Sequence, residues 1–382
     1  MNLILSIPVP VRLAAAALLG ACVGGAADWI SRRPAWNPRP MYRPRTILVA
    51  LLAALGYAAL YGWEIGAAGL LPPGAAKLLP LEAQAALHLQ FAAHAVLIAW
   101  MLAASLIDID EKIIPDEITI SGTLVGLLLA AAWPLSLLPD AVPTISGELD
   151  LKFLTLTSPN EWPIWLNGAP LIGSLGIALA CWWAWCAALL PRTWYSRHGW
   201  RRAAQLCWAG IVRDAGAYRI LRMAIVGALA IALVWYRGGL GWEGLLTALV
   251  GMAAGGSLIW AVRIVGSAVL QREAMGFGDV TLMAMLGAFL GWQSCLVIFF
   301  LAPFAGLLVG LLRLFLFRDK EIPYGPFLCL ASLFLLVRWD AVWNYTLGVF
   351  SLGWLVPLLM LCCLALMAAM LGGWRLILHL FR

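Results

Sequence analysis

Residues 280–317 read VTLMAMLGAFLGWQSCLVIFFLAPFAGLLVGLLRLFLF and contain one charged residue, Arg313. A membrane-spanning helix needs about 20 consecutive apolar residues, so this stretch can form one span or two, divided as 280–297 and 298–317. Inside a bilayer only a helix or a closed barrel satisfies every backbone polar group. The stretch therefore predicts helical membrane segments.

Similar apolar runs recur along the whole chain. They lie near residues 11–30, 46–70, 84–107, 118–139, 169–191, 220–236, 244–265, 323–339 and 345–372. Together with 280–317 they predict an all-α polytopic membrane protein with ten to eleven transmembrane helices. Its expected parts are N-terminal helices over 1–83, a membrane core over 84–340 with inserts at 140–168 and 192–219, and a C-terminal helix and tail over 341–382.

The composition of the 382-residue chain excludes a soluble domain and a disordered chain. Hydrophobic residues make up 63% and charged residues 12%, against about 45–50% and about 25% in soluble domains. The expected partner is therefore the lipid bilayer. The net charge of +6 comes from short basic clusters between apolar runs, which orient membrane helices rather than bind nucleic acid. The eight cysteines form no C-x-x-C pair and the four histidines are scattered, so neither a metal nor a cofactor is expected.

Basic residues predict which loops face the cytoplasm. Segments 32–45 and 192–222 are rich in arginine, whereas 140–168 carries four acidic residues and one lysine. By the positive-inside rule the first two are cytoplasmic, and 140–168, expected to be an irregular loop, is external. Segment 192–222 fits an interfacial amphipathic helix or a solvated basic loop equally well. Counting helices from these loops puts 108–117 and 266–279 on the cytoplasmic side.

Two clusters of acidic residues lie at those cytoplasmic helix ends. Ionisable groups at a membrane are costly and are candidates for function. The first cluster, SLIDIDEKIIPDEIT over 105–119, contains Asp108, Pro115 and Asp116, and the second, EAMGFGDV over 273–280, contains Glu273, Gly276, Gly278 and Asp279. The two glycines would allow close helix approach and unusual backbone angles. Asp116 can instead begin the next helix, and Asp279 can cap the helix that starts near residue 280.

Two carboxylates at one site can act together as acid and base. Like charges a few ångströms apart do not both ionise readily, so the pair shares one proton. The ionised partner can take a proton from water while the protonated one polarises a peptide carbonyl, and the roles exchange when the leaving amine is protonated. Asp108 and Asp279 are the candidates for this dyad. No serine–histidine or cysteine–histidine arrangement competes with it.

Three motifs together resemble the type IV prepilin peptidases, the bacterial branch of the GxGD membrane aspartic proteases. They are Ile107-Asp108 with Ile114-Pro115-Asp116, then Glu273-Ala-Met-Gly276-Phe-Gly278-Asp279-Val280, then Ile322-Pro-Tyr-Gly-Pro-Phe327. The resemblance covers about residues 84–132 and 244–340. It implies a multi-pass protein of the inner (plasma) membrane that cleaves leader peptides of prepilins or pseudopilins in type IV pilus or type II secretion systems. Asp108 and Asp279 would be its catalytic pair, and Glu273, Asp116 and Lys112 would help to bind the leader or tune the pair.

The first loop departs from the family's pattern. Many members carry a cysteine-rich domain between the first two helices and also N-methylate the cleaved pilin with S-adenosylmethionine, but residues 31–45 contain no cysteine. The resemblance therefore supports the peptidase and not the methyltransferase. Two other functions stay open. A transporter or channel would have carboxylates deep within broken helices of two related halves, and a catalytically inactive scaffold of a secretion or pilus system would keep the fold alone.

Overall fold

The protein is predominantly helical. A computed structural model describes residues 8–32, 43–73, 81–143, 149–190, 215–270, 275–316 and 323–380. Within these ranges eleven α-helices follow one another: α1 (Val9–Ser31), α2 (Arg43–Tyr61), α3 (Leu81–Glu111), α4 (Asp116–Ala132), α5 (Ile172–Ala188), α6 (Ala215–Arg237), α7 (Gly239–Leu270), α8 (Phe277–Leu316), α9 (Gly325–Val337), α10 (Trp339–Phe350) and α11 (Leu355–Leu380). The predicted all-α membrane architecture is confirmed.

Six of the described helical segments are long and apolar enough to cross a membrane. They are Val9–Ser31, Pro44–Gly66, Gln84–Glu111, Gly216–Arg237, Gly239–Ala268 and Phe277–Leu308. Helices α9 and α10 form a pair bent by 95°, which would add a seventh span. Ile172–Ala188 and Leu355–Met370 are apolar but shorter. The number of helices that meet the length requirement is thus smaller than the ten to eleven expected from the apolar runs.

The long apolar stretch 280–317, described as far as Leu316, is helical on both sides of one non-helical residue, Gly291. Helix α8 continues from Phe277 to Leu316, and its break lies at Gly291, with φ 81° and ψ 169°. Of the two possibilities left open, the stretch is thus divided, but the break lies at Gly291 and not between 297 and 298. Positive φ is a conformation that glycine adopts at little steric cost. A uniformly apolar sequence does not show which of its glycines adopts that conformation. Conversely, the run near 345–372 includes the break between α10 and α11.

Helix α8 lies at the centre of the molecule. Helices α4, α7 and α9 pack against it, and α3 packs against α4 and α9. Gly251 of α7 and Gly287 of α8 lie in close backbone contact, where a Cβ on either residue would overlap the carbonyl oxygen of the other. Small residues allow such backbone contact between membrane helices. Helices α1 and α2 pack mainly against each other, and α1 also contacts α3.

The insert at 140–168 is more regular than the predicted irregular loop. It contains most of an antiparallel hairpin, β1 (Pro139–Pro143) and β2 (Leu149–Phe153), and a short 3-10 helix, Ile164–Leu166. Side chains of the membrane helices donate hydrogen bonds to its carbonyl groups: Trp339 Nε1 to Pro139 at 2.8 Å, Trp292 Nε1 to Leu156 at 2.8 Å and Trp242 Nε1 to Leu166 at 2.8 Å. The second insert, 192–219, lies outside the described residues up to residue 214.

Candidate active site

Asp108 lies in the last turn of α3. The helix ends at Glu111, and Lys112 adopts a positive φ of 58°, which ends the helix because a right-handed helix requires negative φ. The chain is then non-helical as far as Pro115, and α4 begins at Asp116. Pro115 has φ −65° and ψ 136°, the extended backbone that precedes a helix. The first motif is therefore a helix–break–helix joint with Asp108 before the break.

Asp279 lies in the first turn of α8, directly after the glycine motif. Its helix begins at Phe277, and Gly276 is the last residue before it. Asp279 is 7% exposed and Asp108 is 5% exposed. Two carboxylates that are far apart in the sequence are thus both withdrawn from the surface, one at the end of α3 and the other at the start of α8.

Both carboxylates line one cavity of about 400 Å³. Its wall is formed by the joint after α3, the segment before α8 and the segment before α9, through Lys112, Ile113, Ile114, Met275, Gly276, Phe277, Gly278, Pro323 and Tyr324. Oδ2 of Asp108 is buried and has no hydrogen-bond partner among the described residues. A buried carboxylate oxygen without a partner is costly, so this oxygen is suited to carry a proton or to meet a bound molecule.

The two glycines of the second motif act differently. A Cβ on Gly278 would lie 2.8 Å from Cβ of Ile114, so Gly278 allows α8 to approach the joint that follows Asp108. A Cβ on Gly276 would meet Oδ2 of Asp279 at 3.5 Å, an ordinary contact. Neither glycine has a positive φ. Close approach therefore holds for Gly278, whereas the expected unusual backbone angles are absent from both.

Gly325, a residue that sequence reasoning did not assign to the site, touches Asp108. A Cβ on Gly325 would lie 2.6 Å from Oδ2 of Asp108 and 2.7 Å from Cδ1 of Ile114. The two preceding residues, Pro323 and Tyr324, line the cavity. The signal is present in the third motif, Ile322 to Phe327, which carries part of the resemblance but which the sequence alone does not connect to the carboxylates.

Arg263 of α7 holds the segment that carries the second motif. Its Nε donates a hydrogen bond to the carbonyl oxygen of Met275 at 2.9 Å, and its guanidinium carbon lies 5.8 Å from the centre of the Phe277 ring. Both contacts are on residues that line the cavity. Sequence reasoning missed this role as well, although a single arginine inside the apolar run 244–265 is itself a sign of function.

The other predicted site residues differ in where they lie. Asp116 is exposed and begins α4, where Thr119 Oγ1 donates to its carbonyl oxygen at 3.4 Å. This position fits the alternative in which Asp116 simply begins the helix. Lys112 lines the cavity. Glu273 lies outside the described residues. Within the described ranges no group of three or more His, Cys, Asp or Glu side chains could hold a metal ion.

Comparison with known proteins adds a family match. The model of the type IV leader peptidase family matches residues 95–190 and 203–311, together more than half of the chain. Both Asp108 and Asp279 lie within the matched residues, whereas α1 and α2 lie before them. No solved structure matches the chain.

Several curated proteins named prepilin leader peptidase/N-methyltransferase are similar to this chain. The protein from Aeromonas hydrophila is 30% identical over 159 residues, which is 39% of this chain and 54% of the relative. The protein from Burkholderia pseudomallei (strain K96243) is 30% identical over 166 residues, 41% of this chain and 46% of the relative. The protein from Myxococcus xanthus is 43% identical over 95 residues, 25% of this chain and 28% of the relative. The chain spans about half the length of the first two of these relatives and less of the third.

Proposed function

Because this chain belongs to the type IV leader peptidase family, we propose that it is an intramembrane aspartic endopeptidase that removes leader peptides from type IV prepilins or pseudopilins. Asp108 and Asp279 are its catalytic pair. The cut is made at the cytoplasmic face of the inner membrane.

One observation carries the proposal: Asp108 and Asp279 are buried and line the same cavity. Each lies at a helix end, so the cavity opens at the edge of the membrane span rather than in its middle. A scissile bond next to a hydrophobic helix would be presented at this depth. The arginine-rich loops on the same side of the helix count support a cytoplasmic location.

The chemistry follows from two carboxylates that share one proton. The ionised aspartate of the pair takes a proton from a water molecule, and the water oxygen attacks the peptide carbonyl carbon. The protonated aspartate donates a hydrogen bond to the carbonyl oxygen. When the tetrahedral carbon collapses, the C–N bond breaks and the leaving amine takes a proton from the carboxyl group that received one from water. The products are a free carboxylic acid on the leader and a free amine on the pilin, and the pair again holds one proton.

The position of the carboxylates favours this reaction over transport. Coupling sites of transporters lie near the middle of the bilayer, between two related halves, whereas these two aspartates are at helix ends. A scaffold without activity would not require two buried acids in one cavity, because each buried charge costs stability. Methyl transfer is not part of the proposal, since residues 31–45 lack the cysteines that accompany it in many members of the family.

The direct test is co-expression with a prepilin that carries a glycine-terminated leader. We expect the wild type to shorten the prepilin by its leader, as measured by mass spectrometry of the new N-terminus. Asp108→Asn and Asp279→Asn remove the charge but keep the shape, and each should lower cleavage at least about 1000-fold, as loss of one member of a catalytic unit does in proteases.

Asp340→Asn is the matched control. Asp340 lies in the first turn of α10, where its Oδ1 accepts a hydrogen bond from Asn344, and it does not line the cavity. This variant should cleave as the wild type does. Normal cleavage by either Asp108→Asn or Asp279→Asn would show that the pair is assigned wrongly.

A further inference from the structure

Four charged side chains connect the N-terminal helices to the helix that carries Asp108. Asp28 in α1 is fully buried and pairs with Arg32, with Nε to Oδ2 at 3.2 Å. Thr46 Oγ1 donates to Oδ2 of Asp28 at 2.6 Å. These contacts bind the end of α1 to the start of α2. The other two charged members are Arg45 and Asp110.

Arg45 of α2 is shared between two carboxylates. Its Nε lies 3.0 Å from Oδ1 of Asp28, and its Nη1 and Nη2 donate to Oδ1 and Oδ2 of Asp110 at 2.8 Å and 2.7 Å. The planar guanidinium can serve three acceptor atoms in fixed directions, which a lysine ammonium cannot do in the same geometry. Arg45 thus joins α1 and α2 to the last turn of α3.

Asp110 stands in the same turn as Asp108. The turn ends where Lys112 takes a positive φ, and its last backbone hydrogen bond runs from Lys112 N to Asp108 O at 2.9 Å. Beyond it the chain is non-helical until α4. A bidentate bond to Asp110 therefore holds the last turn of α3 next to the point where the helix ends.

The position of the Asp108 carboxylate depends on that turn. Oδ2 of Asp108 has no hydrogen-bond partner among the described residues, so no side chain there orients this oxygen. Its position then follows from the backbone of α3 and from its contact with Gly325 at the start of α9. A displacement of about 1 Å at a reacting group can lower a rate about 100-fold, which makes the anchoring of this turn important to the reaction.

From this geometry we propose that Arg45 is a positioning residue: by holding Asp110 against the N-terminal helix pair, it sets where Asp108 stands relative to Asp279. The inference rests on the proposed function for its kinetic part. Arg45 does not line the catalytic cavity and acts through α3 rather than on the substrate. The N-terminal helices precede the residues matched by the family model. They would then help to fix the position of Asp108 relative to Asp279.

Two readouts test the proposal in full-length protein in lipid nanodiscs. The first is hydrogen exchange of the backbone amides over 105–113, which needs no substrate. The second is cleavage of a purified prepilin, with kcat and KM measured separately. In Arg45→Gln we expect exchange over 105–113 to rise about tenfold, since the end of the helix becomes free to open. We also expect kcat to fall about 10- to 100-fold with KM within about threefold of the wild type.

Asp110→Asn should behave like Arg45→Gln, and the double variant should be no worse than Arg45→Gln alone, because residues in one interaction network are not additive. Arg237→Gln, at the exposed end of α6, is the matched control and should match the wild type in both readouts. Arg45→Lys keeps a positive charge between the two carboxylates, so it tests the proposal even if Arg45→Gln fails to fold. Its kcat should fall about 3- to 10-fold, since the fork geometry is lost.

Each alternative result has a definite meaning. Unchanged exchange over 105–113 in Arg45→Gln, or a wild-type kcat in Arg45→Lys, would overturn the proposal. A rise in KM with kcat unchanged would also overturn it, because Arg45 would then contact the substrate. If the wild type cleaves no prepilin while exchange still rises in Arg45→Gln, the anchoring of α3 by Arg45 is supported and the proposed function is the part that fails.

Discussion

At the scale of single residues, Gly325 sets how close α9 can come to Asp108. A methyl group at this position would lie 2.6 Å from the Asp108 carboxylate and 2.7 Å from Ile114. Both distances are shorter than an ordinary van der Waals contact, and α9 begins at this residue. The absence of a side chain at 325 is thus a requirement of the site rather than of the helix, because alanine is otherwise the better helix former.

Gly325→Ala should therefore impair cleavage more than folding. We expect kcat to fall about 100-fold, as the Asp108 carboxylate is pushed aside, while the thermal unfolding temperature in detergent stays near that of the wild type. Gly348→Ala in α10, where nothing lies within 4 Å of the added methyl, is the control. Wild-type kcat in Gly325→Ala would mean that the Asp108 carboxylate is not held against α9 during catalysis.

At the scale of secondary-structure elements, a buried pair joins α2 to α3. The π-helical turn Gly62–Gly66 at the end of α2 carries Glu64, which is fully buried and whose Oε1 lies 2.8 Å from Nδ1 of His94 in α3. A π-helical turn is rare and often marks a site with a special role. Here it turns an acidic side chain inward, onto the face of α3 that packs against the N-terminal helices.

Removing one member of this pair should cost more than removing both. Glu64→Leu or His94→Leu alone leaves a buried polar group without its partner and should lower the free energy of unfolding by about 3–5 kcal/mol. The double variant Glu64→Leu/His94→Leu should recover a large part of that loss, since two apolar side chains can pack together. Unfolding curves in mixed detergent micelles give the three values. A double variant whose loss equals the sum of the single losses would show that the two residues do not interact.

At the scale of the whole molecule, the insert at 140–168 is bound to α8 away from the catalytic cavity. Gln293 of α8, two residues after the kink at Gly291, donates hydrogen bonds from Nε2 to the carbonyl oxygens of Thr155 and Ser158 at 2.8 Å and 3.2 Å. Asp279 lies at the other end of the same stretch of α8. The part of α8 before the kink therefore carries the catalytic carboxylate, and the part after the kink stabilises the insert.

Gln293→Leu should affect the stability of the insert without affecting cleavage. We expect it to lower the free energy of unfolding by about 1–3 kcal/mol, because two carbonyl groups lose their donor, and to speed proteolysis within residues 149–166. Cleavage of prepilin should stay within about threefold of the wild type, since the catalytic cavity is remote. A large loss of kcat without loss of stability would instead couple the insert to the active site.

The sequence predicted much of this architecture and part of the site. The apolar runs predicted most of the helices, and Pro115 marked the start of α4. The helix count also predicted that Asp108 and Asp279 would lie on one side of the membrane, and in the structure both line one cavity. These features can be read from local composition and spacing, because the length of an apolar run indicates a membrane helix and a proline marks where a helix begins.

Other features could not be read from the same patterns. The kink in α8 lies at Gly291, although several glycines and one proline in 277–316 were candidates. The hairpin in 139–153 is bound by tryptophans far away in the chain. Arg45 is one of several basic residues in the first loop region, and nothing near it in sequence indicates Asp110 as its partner. Each of these features depends on which helix faces pack together, and the local spacing of residues carries no information about that.

By itself, then, the sequence determined that this is a helical membrane protein and that two clusters of its acidic residues lie at helix ends, because lipid requires long apolar helices and a charged residue beside them is rare. Only the tertiary structure decided that Gly325 touches Asp108, that Arg263 holds the segment before Asp279, and that Arg45 holds the end of α3. These contacts join residues that are distant along the chain, and their directions are set by how whole helices pack.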